Sequence, residues 1–266
     1  MKLEQRALRF HSPGGGLIGI VDVPERPLVR GMLVLPDSTQ YRAGSHRQFT
    51  LLSRLLAGRG IAVMRFDRRG FGDSEGDGAG AGPGTVQGGE DIAAAMQEFF
   101  IHVPEMKESV ILAPGDAAPL AAHYAAGDAR VAGLALLDPL LDPLLPDVAG
   151  ASLPGTAVVP RPAPRSAAER LFRRAAAFRS AAARMRERAT APVPAGAGSG
   201  PAAGTFGGRV LLVLAGNAAG GAGSTCALEQ QDPRCRRVQL AGCANSGGSA
   251  WREAVAFACA SWLTSW

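Results

Sequence analysis

The residues of this sequence that could do chemistry are few and far apart. Among the four histidines, His123 follows Asp116 by seven residues, which places both on one helix face and would suit an acid–base pair. All four cysteines lie in the last quarter of the chain without a C-x-x-C pair, so we predict free thiols and no metal site. We also predict no cofactor, because the glycine-rich run at 78–84 lacks the Lys and the Ser or Thr of a phosphate-binding loop.

One segment predicts a catalytic turn that has no reactive side chain. In "SVILAPGDAAPLAAHYAA" (109–126), an apolar run typical of a buried strand precedes a turn and then residues that favour a helix. Enzymes that attack through a side chain on such a strand–turn–helix unit hold it at the centre of the pattern G-x-S-x-G. The central residue here is Gly115. The segment therefore predicts the turn but supplies no nucleophile.

Strand-like and helix-like segments alternate along most of the chain. Continuous apolar strands separated by amphipathic helices predict an α/β protein with a mostly parallel sheet covered on both faces. The runs 17–24 and 31–36 are joined by a short link and predict an antiparallel hairpin at the sheet edge. Further strands are expected at 61–67, 109–114, 131–138, 209–216 and 236–242, and helices at 46–58, 88–101, 116–126 and 250–265.

Residues 140–208 interrupt this alternation and predict a lid. Segments rich in Pro, Gly and Ala flank one long helix there, so we expect a core of residues 1–139 and 209–266 with an inserted cap. Between 161 and 188 there are nine Arg and two Glu, which accounts for the net charge of +5. A solvated helix is the simpler interpretation, and contact with an anionic polymer or a membrane surface is the alternative. We expect no specific binding of nucleic acid.

Four segments carry a resemblance to a known family. They are "QYRAGSHRQFTLLSRLLAGRGIAVMRFD" (40–67), "RFDRRGFGDSEG" (65–76), "GDARVAGLALLDP" (127–139) and "SAWREAVAFACASWLTSW" (249–266). Together they resemble the exosortase A system-associated hydrolases, type 1, which are bacterial α/β-hydrolases. The resemblance implies the α/β-hydrolase fold, hydrolysis of an ester or related bond, and an association with exosortase and exopolysaccharide systems.

The resemblance also identifies three catalytic positions, and none of them holds a suitable residue. The family's G-L-C-D-A-A elbow aligns with "APGDAA" and places Gly115 at the nucleophile. The acid position, in a segment resembling G-N-D, is Ala218. The base position, in a segment resembling G-A-D-H-T-F, is Asn245, which cannot accept and return a proton near neutral pH. Because a triad acts as a unit, we predict a pseudohydrolase.

A further departure from the family follows the run 31–36. Family members have a Gly-Gly-Pro-like oxyanion turn there, whereas this chain has Asp37, Ser38 and Thr39. A carboxylate beside an oxyanion hole would oppose the negative charge that develops during ester hydrolysis. This difference favours the same prediction of a non-catalytic protein.

Two alternatives stay open. Catalysis could have moved to Cys243, which is close to the missing base, or to His123, although a buried thiol and a structural histidine are the simpler interpretations. The segment before the helix at 46–58 could cap that helix through Ser45, or it could line the mouth of a pocket that recognises an anion. The residues of that mouth would be Gln40, Tyr41, Arg42, His46 and Arg47.

Composition narrows the class of protein. The hydrophobic fraction of 47% predicts a globular chain, and no apolar run is long enough to span a membrane. The start, "MKLEQRALRF", lacks the apolar core of a signal peptide. We therefore expect a cytoplasmic protein whose partner is a small molecule or another protein.

Overall fold

The apolar runs of the sequence form the strands of one sheet. The computed structural model describes residues 2–38, 40–76, 86–139, 206–215, 234–240 and 248–266. The strands are β1 (Leu3–Ser12), β2 (Gly15–Pro24), β3 (Arg30–Val34), β4 (Val63–Phe66), β5 (Glu108–Pro114), β6 (Val131–Leu137), β7 (Arg209–Ala215) and β8 (Cys235–Leu240). Their spatial order is β1-β2-β4-β3-β5-β6-β7-β8, and all pairings from β4 to β8 are parallel. The predicted mostly parallel sheet is confirmed.

The edge of the sheet differs from the prediction. β1 and β2 form an antiparallel hairpin, and β2 then pairs antiparallel with β4. The predicted hairpin of 17–24 with 31–36 is wrong, because β3 lies between β4 and β5. Burial is the reason: β3 is buried from Gly31 to Val34 and needs a neighbour on each side, whereas β1 alternates exposed and partly buried residues as an edge strand does.

Helices cover both faces of the sheet, as predicted. In the described ranges they are α1 (Gln48–Ala57), α2 (Val86–His102), α3 (Ala118–Ala125) and α4 (Ser249–Leu263). One apolar core includes Phe99 of α2 and Leu120 of α3, and the other includes Phe49 of α1 and Trp262 of α4. Burial of each such side chain stabilises the fold by about 1.5–3 kcal/mol. No helix in these ranges has the length and apolar character needed to cross a membrane.

The start of α1 also differs from the prediction. Ser45–Arg47 form a short 3-10 turn in which His46 and Arg47 have positive φ, and α1 begins at Gln48 without a side-chain cap. The prediction that Ser45 caps the helix is therefore wrong. The backbone N–H of Ser45 instead donates to Gln40 Oε1 at 3.0 Å. Because Phe49 is fully buried, the packing of the first turn decides where the helix begins.

The parallel register brings several strand ends to one edge of the sheet. Pro114 of β5 pairs with Leu137 of β6, and Leu137 pairs with Val213 of β7. The residues that follow these strands therefore lie side by side, together with those that follow β3 and β4. Ligands of open α/β sheets bind at this carboxyl edge.

Candidate functional site

The turn after β5 has the backbone conformation of a nucleophile elbow. β5 ends at Pro114, Gly115 has φ +52°, and a 3-10 turn over Gly115–Ala117 leads into α3. A residue with a Cβ adopts such a conformation at a cost, whereas glycine adopts it freely. Among the described residues, a Cβ built on Gly115 would have one heavy atom within 4 Å, Asp37 Oδ2 at 3.9 Å. Within the part of the chain that the structure describes, the turn therefore leaves room for a Cβ at this position.

The loop after β3 is hydrogen bonded to this turn. Ser38 N donates to Asp116 Oδ1 at 3.0 Å, and Ser38 Oγ donates to Asp116 Oδ2. In the same loop, Gln40 Nε2 donates to Asp37 Oδ2 at 2.7 Å. The carboxylates of Asp37 and Asp116 therefore both lie beside Gly115.

Gln40 connects this loop to the start of α1. Its Oε1 accepts hydrogen bonds from Ser45 N and from Gln48 Nε2, the latter at 2.7 Å. Both ends of the Gln40 side-chain amide are thus engaged within the protein. The side chain positions the loop that carries Asp37 and Ser38.

Arg42 is also engaged within the protein. Its backbone N–H donates to Asp67 Oδ1 at 2.6 Å, Nη1 donates to Asp67 Oδ2, and Nη2 donates to Asp73 Oδ2 at 2.6 Å. Burial opposes the charge of Arg42, but the ion pairs with Asp73 and Asp67 raise its pKa overall. Arg42 therefore fastens the loop after β3 to the loop after β4.

The predicted mouth residues do not act as one group. Gln40 and Arg42 are held in the network described above, whereas Tyr41, His46 and Arg47 are exposed to solvent. The positive φ of His46 and Arg47 belongs to the 3-10 turn that leads into α1. Anion recognition by this segment stays a prediction, and Tyr41, His46 and Arg47 are its most exposed members.

Arg68 is a site residue that the sequence analysis missed. It follows β4 directly and is 3% exposed. Burial lowers the pKa of its guanidinium, and the nearby carboxylates of Asp116, Asp37 and Asp91 oppose that change. The arginine pair in "RFDRRG", directly after a buried strand, is the signal that could have identified it. Arg68 supplies a buried positive charge to the two carboxylates beside Gly115.

Asp116 and His123 take separate positions. Asp116 lies in the 3-10 turn and accepts hydrogen bonds from Ser38, whereas His123 is exposed on α3. No hydrogen bond or ion pair joins the two side chains within the described part of the chain. Asp138, which the sequence analysis also missed, follows β6 in a left-handed conformation (φ +42°) and is exposed next to this turn.

The loop after β4, residues 67–76, is held together by hydrogen bonds within the protein. Ser74 Oγ donates to the backbone oxygen of Asp67 at 2.7 Å, and Asp67 Oδ2 accepts from Asp73 N at 3.0 Å. Asp67 is fully buried. The Ser74 hydroxyl and the Asp67 carboxylate therefore use their hydrogen bonds to hold the loop in its conformation.

The other predicted positions lie outside the described residues. These are Ala218 at the acid position, Asn245 at the base position, Cys243 and residues 140–205 of the predicted lid at 140–208. At the carboxyl edge of the sheet, the described residues include no Ser, Thr or Cys hydrogen bonded to a histidine. Nor do three His, Cys, Asp or Glu side chains in the described ranges gather as a set of metal ligands.

Solved α/β-hydrolases resemble this structure over nearly the whole chain. An esterase of Pyrococcus furiosus has a TM-score of 0.64 at 13% identity, over 99% of this chain and 92% of that one. Est1E from Butyrivibrio proteoclasticus, with ferulic acid bound, has a TM-score of 0.62 at 14% identity, over 97% and 98%. An α/β serine hydrolase without a lid from Xanthomonas campestris has a TM-score of 0.56 at 17% identity, over 98% and 96%. No protein-family model matches the chain, and no curated protein matches it in sequence.

The strand order, the parallel pairings and these likenesses define the fold. The chain has the α/β-hydrolase fold, which confirms the predicted fold class. At identities of 13–17%, the similarity to these structures shows the fold alone. Membership of the exosortase A-associated family stays a prediction from the sequence segments.

Proposed function

We propose that this protein is a pseudohydrolase, a non-catalytic protein that uses the pocket of an α/β-hydrolase to bind a small molecule or a protein partner. The observation that carries the proposal is Gly115 with φ +52° at the turn after β5. At the position where this fold holds its nucleophile, the chain has the backbone of the elbow and no side chain. Ala218 and Asn245, at the acid and base positions implied by the resemblance, support the same conclusion.

The electrostatics beside Gly115 support the proposal independently. Ester hydrolysis requires donors that stabilise a developing oxyanion. The carboxylate of Asp37 is 3.9 Å from the position of a Cβ on Gly115, and that of Asp116 is bonded to Ser38 in the same region. Two negative charges at this point oppose a third.

Catalytic inactivity is tested with the intact protein. We expect no hydrolysis of p-nitrophenyl acetate or butyrate above the buffer rate and no labelling by a fluorophosphonate probe. We also expect Gly115→Ser to leave the protein inactive, because Ala218 and Asn245 provide neither acid nor base. Turnover by the unmodified protein would overturn the proposal, and turnover by Gly115→Ser would show that the acid and base positions are assigned wrongly.

The alternative is an active ester or thioester hydrolase with relocated catalytic residues. Its support is the likeness to solved esterases such as that of Pyrococcus furiosus. In that case Cys243 or His123 would carry the reaction. Turnover that disappears in Cys243→Ala or in His123→Ala, with an unchanged melting temperature, would establish the alternative.

The resemblance further leads us to propose a cytoplasmic role linked to an exosortase or exopolysaccharide system. Deleting the gene in its own bacterium should then lower the amount of secreted exopolysaccharide, and the wild-type gene should restore it. Unchanged secretion would refute the link. Contact of 161–188 with an anionic polymer is tested by replacing Arg173, Arg174 and Arg179 with Gln. Binding of heparin or anionic vesicles that survives these changes would argue against that contact.

A further inference from the structure

The loop after β3 and the turn after β5 meet at a position that has a defined role in this fold. α/β-Hydrolases bind the reaction's oxyanion with the N–H of the residue after the nucleophile and with an N–H from the loop after β3. In this chain the residue after Gly115 is Asp116, and the loop contains Ser38. Ser38 N donates to Asp116 Oδ1 at 3.0 Å, and Ser38 Oγ donates to the other carboxylate oxygen. The group that accepts from the loop is therefore a carboxylate of the protein itself.

A buried positive charge acts on the Asp116 carboxylate of this contact. Arg68 is 3% exposed, and the Asp116 carboxylate opposes the lowering of its pKa by burial. A buried guanidinium and a backbone N–H are the donors with which proteins hold carboxylates and phosphates. Ser38 is exposed, so a ligand from solvent can reach the contact.

We propose that the Asp116 carboxylate is an internal occupant of the oxyanion position, and that its contact with Ser38 is an autoinhibitory latch that keeps external anions out. This inference rests on the proposed function, because it takes the turn at Gly115 to be a nucleophile elbow. It deepens that proposal by naming the ligand class that the pocket excludes. The Ser38–Asp116 latch keeps carboxylates, phosphonates and the oxyanions of acyl transfer from the Ser38 N–H and from the positive charge of Arg68.

Removal of the Asp116 side chain tests the latch. Wild type, Asp116→Ala and Asp116→Asn are titrated with phenylphosphonate, and binding is followed by calorimetry and by the NMR shift of the Ser38 amide. We expect Asp116→Ala to bind phenylphosphonate at least about tenfold more tightly than wild type, with a shift of the Ser38 amide. Asp116→Asn, which loses the charge but keeps an acceptor for Ser38, should gain less affinity.

Two controls separate the latch from simpler explanations. Glu253→Gln removes one negative charge on α4, where Glu253 lies 3.5 Å from Arg59, and should leave phosphonate affinity unchanged. A gain shared by this variant would indicate a general charge effect and would overturn the latch. So would equal affinity of wild type and Asp116→Ala, or no binding by either, in samples whose melting temperatures show that they are folded.

The latch and the proposed function fail in different experiments. Hydrolysis of an ester by wild type refutes the pseudohydrolase, whatever the phosphonate titrations give. An unchanged affinity in Asp116→Ala refutes the latch while the absence of turnover still stands. A purely structural contact would lower the melting temperature of Asp116→Ala without creating a binding site for phosphonate.

Discussion

Two glycines at the carboxyl edge of the sheet have similar backbone conformations and different surroundings. Gly72, in the loop after β4, has φ +55°, and Gly115, after β5, has φ +52°. A Cβ on Gly72 would overlap the carboxylate of Asp67, whereas a Cβ on Gly115 would meet Asp37 Oδ2 only at 3.9 Å. Packing requires the first glycine, and backbone conformation alone favours the second. Among the described residues, the turn after β5 therefore has space beside its glycine, whereas in the loop after β4 the Asp67 carboxylate occupies that space.

The polar groups of the two turns differ in the same way. Asp67 is fully buried and accepts from Arg42 and from Asp73 N, so the loop after β4 is held by charges away from water. The contact of Asp116 with Ser38 is exposed. A buried ion pair is costly to break, whereas an exposed hydrogen bond competes with hydrogen bonds to water and contributes less to stability. The loop after β4 therefore supports the fold, and the turn after β5 can change with less effect on it.

The largest effect is expected for Gly72→Ala. The new methyl group adds overlap with Asp67 to the cost of a positive φ, so we expect the free energy of unfolding to fall by about 3 kcal/mol or more. Urea denaturation measures the loss. The matched control is Gly89→Ala in α2, where no described atom lies within 4 Å of the new Cβ, and alanine there should be neutral or slightly stabilising. Equal losses in both variants would contradict the packing argument.

Asp67→Asn should have the next largest effect. The substitution keeps the size of the side chain but removes the charge that pairs with Arg42, so we expect a loss of about 2 kcal/mol in the free energy of unfolding. Asp73→Asn serves as the control, because the Asp73 side chain is 69% exposed and pairs with the same arginine. Its loss should stay below about 0.5 kcal/mol. A larger loss for Asp73→Asn than for Asp67→Asn would mean that Asp73, and not Asp67, is the stabilising partner of Arg42.

Gly115→Ala should cost less than either change in the loop after β4. Only the positive φ opposes alanine there, and we expect a loss of about 1 kcal/mol in urea denaturation. A loss as large as that of Gly72→Ala would remove the distinction between the two turns. It would show that the space beside Gly115 is needed by the fold.

The smallest expected effect is a pH-dependent contribution to stability from Asp128, which lies just after α3. Burial opposes the ionisation of Asp128, but hydrogen bonds from Arg130 and Tyr124 lower its pKa to about 2. Because the folded-state pKa lies below the ordinary 3.8, Asp128 stabilises the protein above that pH, and this contribution disappears as the pH falls toward 2. With solvent screening the contribution is about 1 kcal/mol. Asp128→Asn should therefore lose stability at pH 6 and very little at pH 2.

Asp73→Asn is the control for the pH dependence expected of Asp128→Asn. Asp73→Asn should lose almost nothing at either pH, since its carboxylate is mostly exposed. A loss in Asp128→Asn that is the same at both values would mean that shape, and not charge, connects Asp128 to Arg130. The losses are measured as changes in melting temperature for wild type, Asp128→Asn and Asp73→Asn at each pH.

Much of the fold was predictable because its signals are local. The run Val110–Ala113 is buried on both faces of the sheet, and continuous apolar residues announce such a strand without knowledge of its neighbours. β1 was missed because an edge strand alternates polar and apolar residues, and the start of α1 was missed because the burial of Phe49 decides it. In both cases burial in the folded chain, and not the apolar content of the segment, marks the element.

The sequence by itself determined the α/β alternation, the turn at Gly115 and the absence of a side chain there, since each follows from the identity and order of neighbouring residues. Tertiary structure alone decided that Ser38 donates a hydrogen bond to Asp116, 78 residues away, and that Arg68 is buried. The physical reason is that hydrogen bonds and charge interactions depend on distance in space. The parallel register of β3, β4 and β5 sets those distances, and no local pattern in the chain encodes it.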